Sequence, residues 1–295
     1  MRGWQPLSGK IESMKWIVIL TFLFSLTSNA QEESLCYELS HDQLGIKSSY
    51  LFGTMHVMET NRFFFPKKLS RFLKKSDALC LEIKHITDVQ INPDMLFDST
   101  LNLKSNCDSA KWAKITSWAE DKLYMKPQQF EENFRYAKPF MLFQFILTMN
   151  LPINKKSHEQ ELEKIAALNK LEFLGLESAE EQLNIFNQIP YDDQMDMVFN
   201  ELNEDEKNKQ DFNDMQQAYI KQNLTILCDF SSEKNFMGYK ALFLDNRNKK
   251  WIPKMKEMML KERVFFAVGA GHLCGENGLI ALLRREGFKL KPIKL

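Results

Sequence analysis

The chain has 295 residues, with 39 Lys and Arg against 39 Asp and Glu, so its formal net charge is zero. At 44% hydrophobic and 26% charged it is too apolar for a disordered chain, and it lacks the clustered basic residues that a nucleic-acid partner requires. No apolar run is long enough to span a bilayer, so no permanent membrane anchor is expected and an enzyme or a binding protein remains.

The first segment reads as an export signal. Lys15 precedes the apolar block WIVILTFLFSL (16–26), and Thr-Ser-Asn-Ala follows, with small residues Ser28 and Ala30 at the cleavage positions. The expectation is a signal peptide over 1–30, translation starting at Met14, and a mature chain that begins at Gln31 and is periplasmic or secreted. No Cys follows the cleavage position, so lipid attachment is not expected.

Residues 35–56 carry a hairpin pattern, LCYEL and SYLF around a polar turn. Pro66 opens a helix whose apolar Leu69, Phe72 and Leu73 follow helical spacing, and ALCLEI (78–83) is an apolar strand. Residues 94–150 read as mostly helical, ending in PFMLFQFILTM, which is too short for a bilayer and reads as a buried helix. A helix over 157–170 and the strand LEFLGL (171–176) come next. Helix resumes over 178–227, broken at Pro190 and by the charge run 201–214, an exposed face or loop. KWIPKMKEMMLKE is helical, and the chain closes with strand VFFAV (264–268), helix GLIALLRREG and strand FKLKPI.

The two ends echo each other: residues 49–83 and 264–293 both run strand, Gly-x-x-His, helix, strand. Each is a βαβ-like unit with strands expected to be parallel. The fold class is therefore α/β: one domain over 31–295, a small central sheet built from two such units, and a large helical insertion over about 90–260.

Five histidines occur. His56 (in GTMH) and His272 (in GAGH) share one context, an apolar strand that ends at Gly and delivers an imidazole to the carboxyl edge of a sheet, where open parallel sheets hold ligands. His41 in a turn and His158 at a helix start read as surface residues; His85 has no such context. GAGHLCG also resembles a dinucleotide fingerprint, but the next strand carries no carboxylate. Glu82 inside ALCLEI needs a partner to be tolerated, and Glu177 ends a strand. These two Glu and two His make a candidate divalent-metal set suited to zinc, manganese, iron or cobalt rather than calcium. His-Glu-x-x-His and Gly-x-Ser-x-Gly are absent, which removes an ordinary zincin and a serine hydrolase. The five cysteines contain no Cys-x-x-Cys pair; they permit at most two disulfides and name none, and Cys80 reads as core.

The motifs LFGTMH (51–56), SDALCLEI (76–83), FLGLESAEEQL (173–183), Arg247-Asn248 in LFLDNRNKKW and FFAVGAGHLCGENGLIALLRREGF (265–288) together resemble the TraB/GumN family, which includes the Tiki proteases. The resemblance implies a fold related to erythromycin-esterase-like and haem-binding ChaN-like proteins, and a manganese- or cobalt-dependent peptidase activity. It maps the Gly-x-x-His histidines onto His56 and His272, glutamates onto Glu82 and Glu177, and the Arg of an Arg-Asn motif onto Arg247. Glu159 stands where many relatives carry Asp. Tiki proteins are membrane-anchored, so their substrates do not transfer.

On this reading His56, His272 and Glu82 bind manganese, cobalt or zinc, Glu177 is general base, and Arg247 steadies an oxyanion or a substrate carboxylate. The roles of the two glutamates are interchangeable at this level. The partner is a peptide or protein substrate. The rival is a non-catalytic envelope protein that captures a peptide or haem in the same cleft, lined from the 23 Phe and 15 Met.

Overall fold

The computed structural model describes residues 34–84 and 92–295; the segment 1–30 expected to be a signal peptide and His85 lie outside the described residues. Its strands are β1 (Cys36–His41), β2 (Ile46–Thr54), β3 (Met58–Glu59), β4 (Ala78–Ile83), β5 (Lys155–Lys156), β6 (Glu172–Glu177), β7 (Val264–Gly269) and β8 (Lys289–Pro292). Six of them form one mixed sheet in the order β6-β4-β7-β2-β1-β8, and β3 pairs with β5 in a small ribbon.

The expected hairpin forms: Asp42 to Gly45 turns the chain, Gly45 taking a φ of +66°, and β1 returns antiparallel on β2. The strands of each βαβ-like unit run in the same direction, but they are not neighbours. β7 lies between β2 and β4 and is parallel to both, while β8 reaches past β2 to pair antiparallel with the outer edge of β1. The reason is burial. Every residue of β7 (VFFAVG) is buried, which suits a central strand covered on both faces, whereas β8 alternates between exposed and half-buried positions as an edge strand does.

The helices are α1 (Lys67–Leu73), α2 (Pro93–Leu96), α3 (Ser109–Leu123), α4 (Pro127–Phe134), α5 (Pro139–Asn150) and α6 (His158–Leu168). They continue with α7 (Ala179–Phe186), α8 (Tyr191–Asn203), α9 (Asp205–Ile220), α10 (Leu224–Phe230), α11 (Asn246–Lys261) and α12 (Leu279–Arg285). The sheet core joins Leu51, Leu79, Phe265 and Phe266 to Trp251 and Met255 of α11. The helical insertion has a core of its own, where Ile115, Phe130, Leu142 and Val198 meet. The apolar run 139–149 is α5, buried there as its composition implies. Among the described residues no helix is long and apolar enough to cross a membrane.

Pro190 caps α8 and marks the expected break. The charge run 201–214 is carried on the end of α8 and the start of α9, with a short break between the two helices. Both histidines read as surface residues are instead buried. His41 is 7% exposed, its ring edge-on to Phe288 and its Nε2 3.0 Å from the Glu286 carbonyl oxygen. His158 is fully buried among Phe52, Phe63 and Tyr219, with its ring nitrogens each 2.9 Å from a carbonyl oxygen, of Met55 and of Phe64. A helix start reads as surface only when nothing packs on it; here these rings and carbonyls close over it.

Candidate active site

The parallel strands β6, β4, β7 and β2 are adjacent and end at one edge, and each delivers a candidate residue there. β6 ends at Glu177, β4 carries Glu82 next to its last residue, β7 ends at Gly269 just before His272, and β2 ends at Thr54 just before His56. This is the carboxyl-edge crevice in which open α/β sheets hold ligands. All five residues expected from the sequence converge on it, the fifth being Arg247 near the start of α11.

Each imidazole is anchored through Nδ1 and presents Nε2. The amide nitrogen of Asn248 donates to the carbonyl oxygens of His272 (3.2 Å) and Asn277 (2.9 Å), so its oxygen faces His272 Nδ1 at 2.7 Å. Nδ1 therefore carries the proton and Nε2 keeps its lone pair. His56 Nδ1 lies 2.8 Å from Glu159 Oε1, and that carboxylate also accepts from the hydroxyls of Thr54 and Ser157. Both Nε2 atoms turn towards Glu82 Oε1, at 3.9 Å from His56 and 3.7 Å from His272. The backbone N–H of Gly269 donates to the same oxygen at 2.8 Å. A Cβ at Gly269 would stand 2.9 Å from His56 Nε2 and push that imidazole aside.

Arg247 ties the carboxylates together. Its guanidinium donates to Glu177 from Nε at 3.0 Å and from Nη2, and Nη2 also reaches Glu82 Oε2. Its Nη1 donates to the Phe243 carbonyl oxygen at 2.8 Å and to His272 Nε2 at 3.1 Å. Trp251, one helical turn on, donates from its indole to Glu177 Oε2 at 3.2 Å and packs its ring 4.4 Å from His272. Glu177 thus spends both oxygens on Arg247 and Trp251 and faces neither imidazole; Glu82 is the glutamate between them. The difference in placement comes from strand order: β4, which carries Glu82, pairs with β7, whereas β6, which ends at Glu177, lies on the far side of β4.

Glu159, Asn248, Trp251, Thr54 and Ser157 are the contributors that strand-end reasoning passes over. Trp251 had a signal in its helical spacing from Arg247, and Asn248 is the second half of the Arg-Asn pair. Glu159 sits three-dimensionally beside His56 but more than a hundred residues away in sequence, so no local spacing points to it.

The electrostatics follow from burial set against partners. Burial by itself would raise Glu82, but the imidazoles of His272 and His56, Arg247 and the Gly269 N–H hold its carboxyl down to about 2. Burial drives His272 down to about 3 against the pull of Glu82, so its imidazole is neutral. Burial would also lower His56, yet with its side chain 61% open to the cleft the Glu159 carboxylate prevails and raises it to about 9. Glu159 is held well below the usual carboxylate range, chiefly by His56, against its own burial.

These shifts predict an acid-labile fold. His272 stays neutral in the fold down to about pH 3, while in the unfolded chain it takes its proton near 6.5, so acidification favours unfolding across that interval. Glu82 acts in the same direction: its contribution is full above its ordinary 4.5 and is lost as pH falls through about 2. His56 runs the other way, contributing below 6.5 and losing that contribution as pH rises through about 9, but its exposure keeps the contribution small. Urea unfolding across a pH series should show stability falling below pH 6.5 with a slope approaching about 1.4 kcal/mol per pH unit for each proton taken up. In His272→Gln the upper part of that slope should flatten.

A mixed sheet whose parallel strands bring paired Gly-x-x-His histidines, a glutamate between them and an Arg-Asn pair to one edge makes this an α/β protein with its polar residues gathered at that edge. The sequence model of the TraB/PrgY/gumN family matches residues 37–292, and the chain belongs to that family. No curated protein and no solved structure matches it.

Proposed function

We propose that the chain is an exported, metal-dependent hydrolase acting on peptide bonds. The observation that carries this reading is the pair of Nδ1-anchored imidazoles whose Nε2 atoms both face Glu82 Oε1. Anchoring of Nδ1 by a carboxylate or an amide oxygen is what metal-ligating histidines commonly have, since it fixes the tautomer and aims the free nitrogen. Three largely buried carboxylates against the Arg247 guanidinium and the His56 imidazolium leave one negative charge in excess, which also favours a cation. The donor set of His56, His272 and Glu82 therefore fits manganese, cobalt or zinc. A bound ion of this kind supplies Lewis acidity and a water that ionises near neutrality.

As they lie, no three His, Cys, Asp or Glu side chains among the described residues are grouped closely enough to hold an ion. To hold an ion, the two Nε2 atoms would have to draw closer to Glu82 Oε1 than the 3.9 and 3.7 Å at which they lie. Arg247 Nη1 must also leave His272 Nε2. In doing so it becomes a donor for a substrate carbonyl oxygen or a product carboxylate at the same point, held in aim by Glu177 and Trp251. Glu177, expected from the sequence as general base, has both oxygens engaged by Arg247 and Trp251 and is read here as a positioning residue for Arg247, with Glu159 the positioning residue for His56.

Export is supported by the apolar block 16–26 and by the disulfide Cys228–Cys274, which belongs to an oxidising compartment. The test is elemental analysis of the purified protein after loading with manganese, cobalt or zinc and desalting, wild type beside His56→Ala and His272→Ala, with circular dichroism to confirm folding. Near-stoichiometric metal in wild type, lost in both folded variants, and metal-dependent cutting of an unfolded protein that chelator stops, are the expected results. A wild type that retains no metal and cuts nothing overturns the reading.

One observation favours a second reading. The Arg247 guanidinium by itself donates to Glu82, Glu177 and His272 Nε2, an arrangement that suits a non-catalytic peptide- or haem-binding cleft. Peptide binding without cutting, or a Soret band on haem addition that His56→Ala abolishes, would establish it.

A further inference from the structure

Two cavities meet at His56 and Glu82, and their walls differ in kind. On the β3–β5 ribbon side lies a cleft of about 410 Å³ lined by Lys155, Lys156, Gln160 and Gln182. On the His272 side lies a cavity of about 350 Å³ walled by Met215, Leu227, Phe230, Phe236, Phe243 and Leu244, and it also touches Arg247 and His272. Four of those six side chains, Met215, Phe230, Phe236 and Phe243, line the cavity and are only partly buried. Apolar groups left facing a void beside polar, chemically competent residues are the usual make-up of a ligand pocket.

The wall is built, not incidental. Phe236 stacks on Phe243 at 5.6 Å, and Phe243 meets Phe186 edge-on at 5.4 Å. The Cys228–Cys274 disulfide ties α10, which supplies Leu227 and Phe230, to the loop that carries His272. Gly271 lets Ser231 close the floor, since a Cβ there would stand 2.7 Å from the Ser231 hydroxyl. The segment Ala241–Asp245, with Phe243 and Leu244, forms a π-helical turn that leads directly into α11, the helix of Arg247, a local irregularity that recurs at functional sites.

We infer that this cavity is the specificity pocket of the site: the substrate is a peptide whose residue beside the cleaved bond carries a bulky apolar side chain, seated among Met215, Leu227, Phe230, Phe236 and Phe243. The chain then crosses His56 and Glu82 and leaves along the Lys155–Lys156 cleft. This inference rests on the peptide-hydrolase reading for the bond that is cut, while the pocket itself needs only binding.

The experiment separates the two. Fluorescence anisotropy of labelled hexapeptides that differ at one position (Gly, Ser, Leu or Phe) is measured on the full protein in chelator, where no cutting occurs. Cutting of the same series with manganese or cobalt is followed by mass spectrometry. Leu and Phe peptides should bind about ten- to hundredfold more tightly than Gly, as burial of one large apolar side chain gives. Met215→Trp, which fills the cavity, should abolish the advantage of Phe, and Phe236→Ser, which opens its wall, should weaken Leu and Phe alike. Apolar preference in binding with no cutting under any metal leaves the pocket assigned and overturns the hydrolase. Cutting without apolar preference, unchanged in both variants, overturns the pocket and leaves the hydrolase. Absence of binding by every peptide overturns the pocket as well.

Discussion

Replacing Arg247 by Leu should cost about 3–5 kcal/mol of folding stability, the penalty for removing one partner of a buried ion cluster. The side chains of Arg247 and Glu82 are each only 13% exposed and that of Glu177 only 6%, so water cannot take over the lost interactions. Without the guanidinium, Glu177 retains the Trp251 indole, and Glu82 retains the Gly269 N–H and the Gln182 amide at 3.1 Å. Two neighbouring carboxylates would then face each other with no fixed cation between them. Arg247→Lys should recover only part of the loss, because an ammonium cannot reproduce a fork that addresses Glu82, Glu177 and the Phe243 carbonyl at once. Adding Glu82→Gln and Glu177→Gln to Arg247→Leu should restore much of the stability, since the stranded charges are then gone. Urea unfolding of the set measures this, and a loss below about 1 kcal/mol, typical of a solvent-screened surface pair, would show that the cluster is not buried in solution.

The same cluster marks how far the sequence could be read. Strand ends were legible because β2, β4, β6 and β7 are short apolar runs, each closed by a polar or glycine punctuation, and that placed His56, Glu82, Glu177 and His272 at an edge. Their order across the sheet was not. β7 enters between β2 and β4 from the far end of the chain, driven by burial of both its faces, and no local pattern encodes which strands become neighbours. Once β7 is central, Glu82 falls between the histidines and Glu177 falls behind Arg247, which separates two glutamates that look equivalent in sequence. The partners that tune the site were equally out of reach. Glu159 approaches His56 only because α6 packs against the strand end, and His158 beside it is buried by the same packing although it begins a helix. Asn248 and Trp251 lie on the same helix as Arg247, and there the helical period would have sufficed once Arg247 was chosen.

The cysteines gave the sequence reading least and carry the other large effect. Cys228 and Cys274 are 46 residues apart, and cross-linking them restricts the unfolded chain enough to be worth about 4 kcal/mol in the loop-entropy account. Cys228→Ser combined with Cys274→Ser should therefore lower stability by about that amount, and a reducing agent should lower wild type to match the double variant. The effect should also reach the site. Cys274 lies two residues beyond His272, and the bond is what holds α10 and its apolar wall against that loop, so the reduced protein should lose apolar peptide preference before it loses helix content. Thiol counting gives an independent check. Burial pushes the Cys36 thiol up to about 12 and raises Cys80 likewise, so neither should react in the folded protein, whereas the half-buried Cys107 is the accessible one. Native wild type should then label once, and denatured wild type should label at Cys36, Cys80 and Cys107. Labelling of all five cysteines after denaturation without reductant would show that the pair is not bonded, and would remove the oxidised disulfide as support for export along with it.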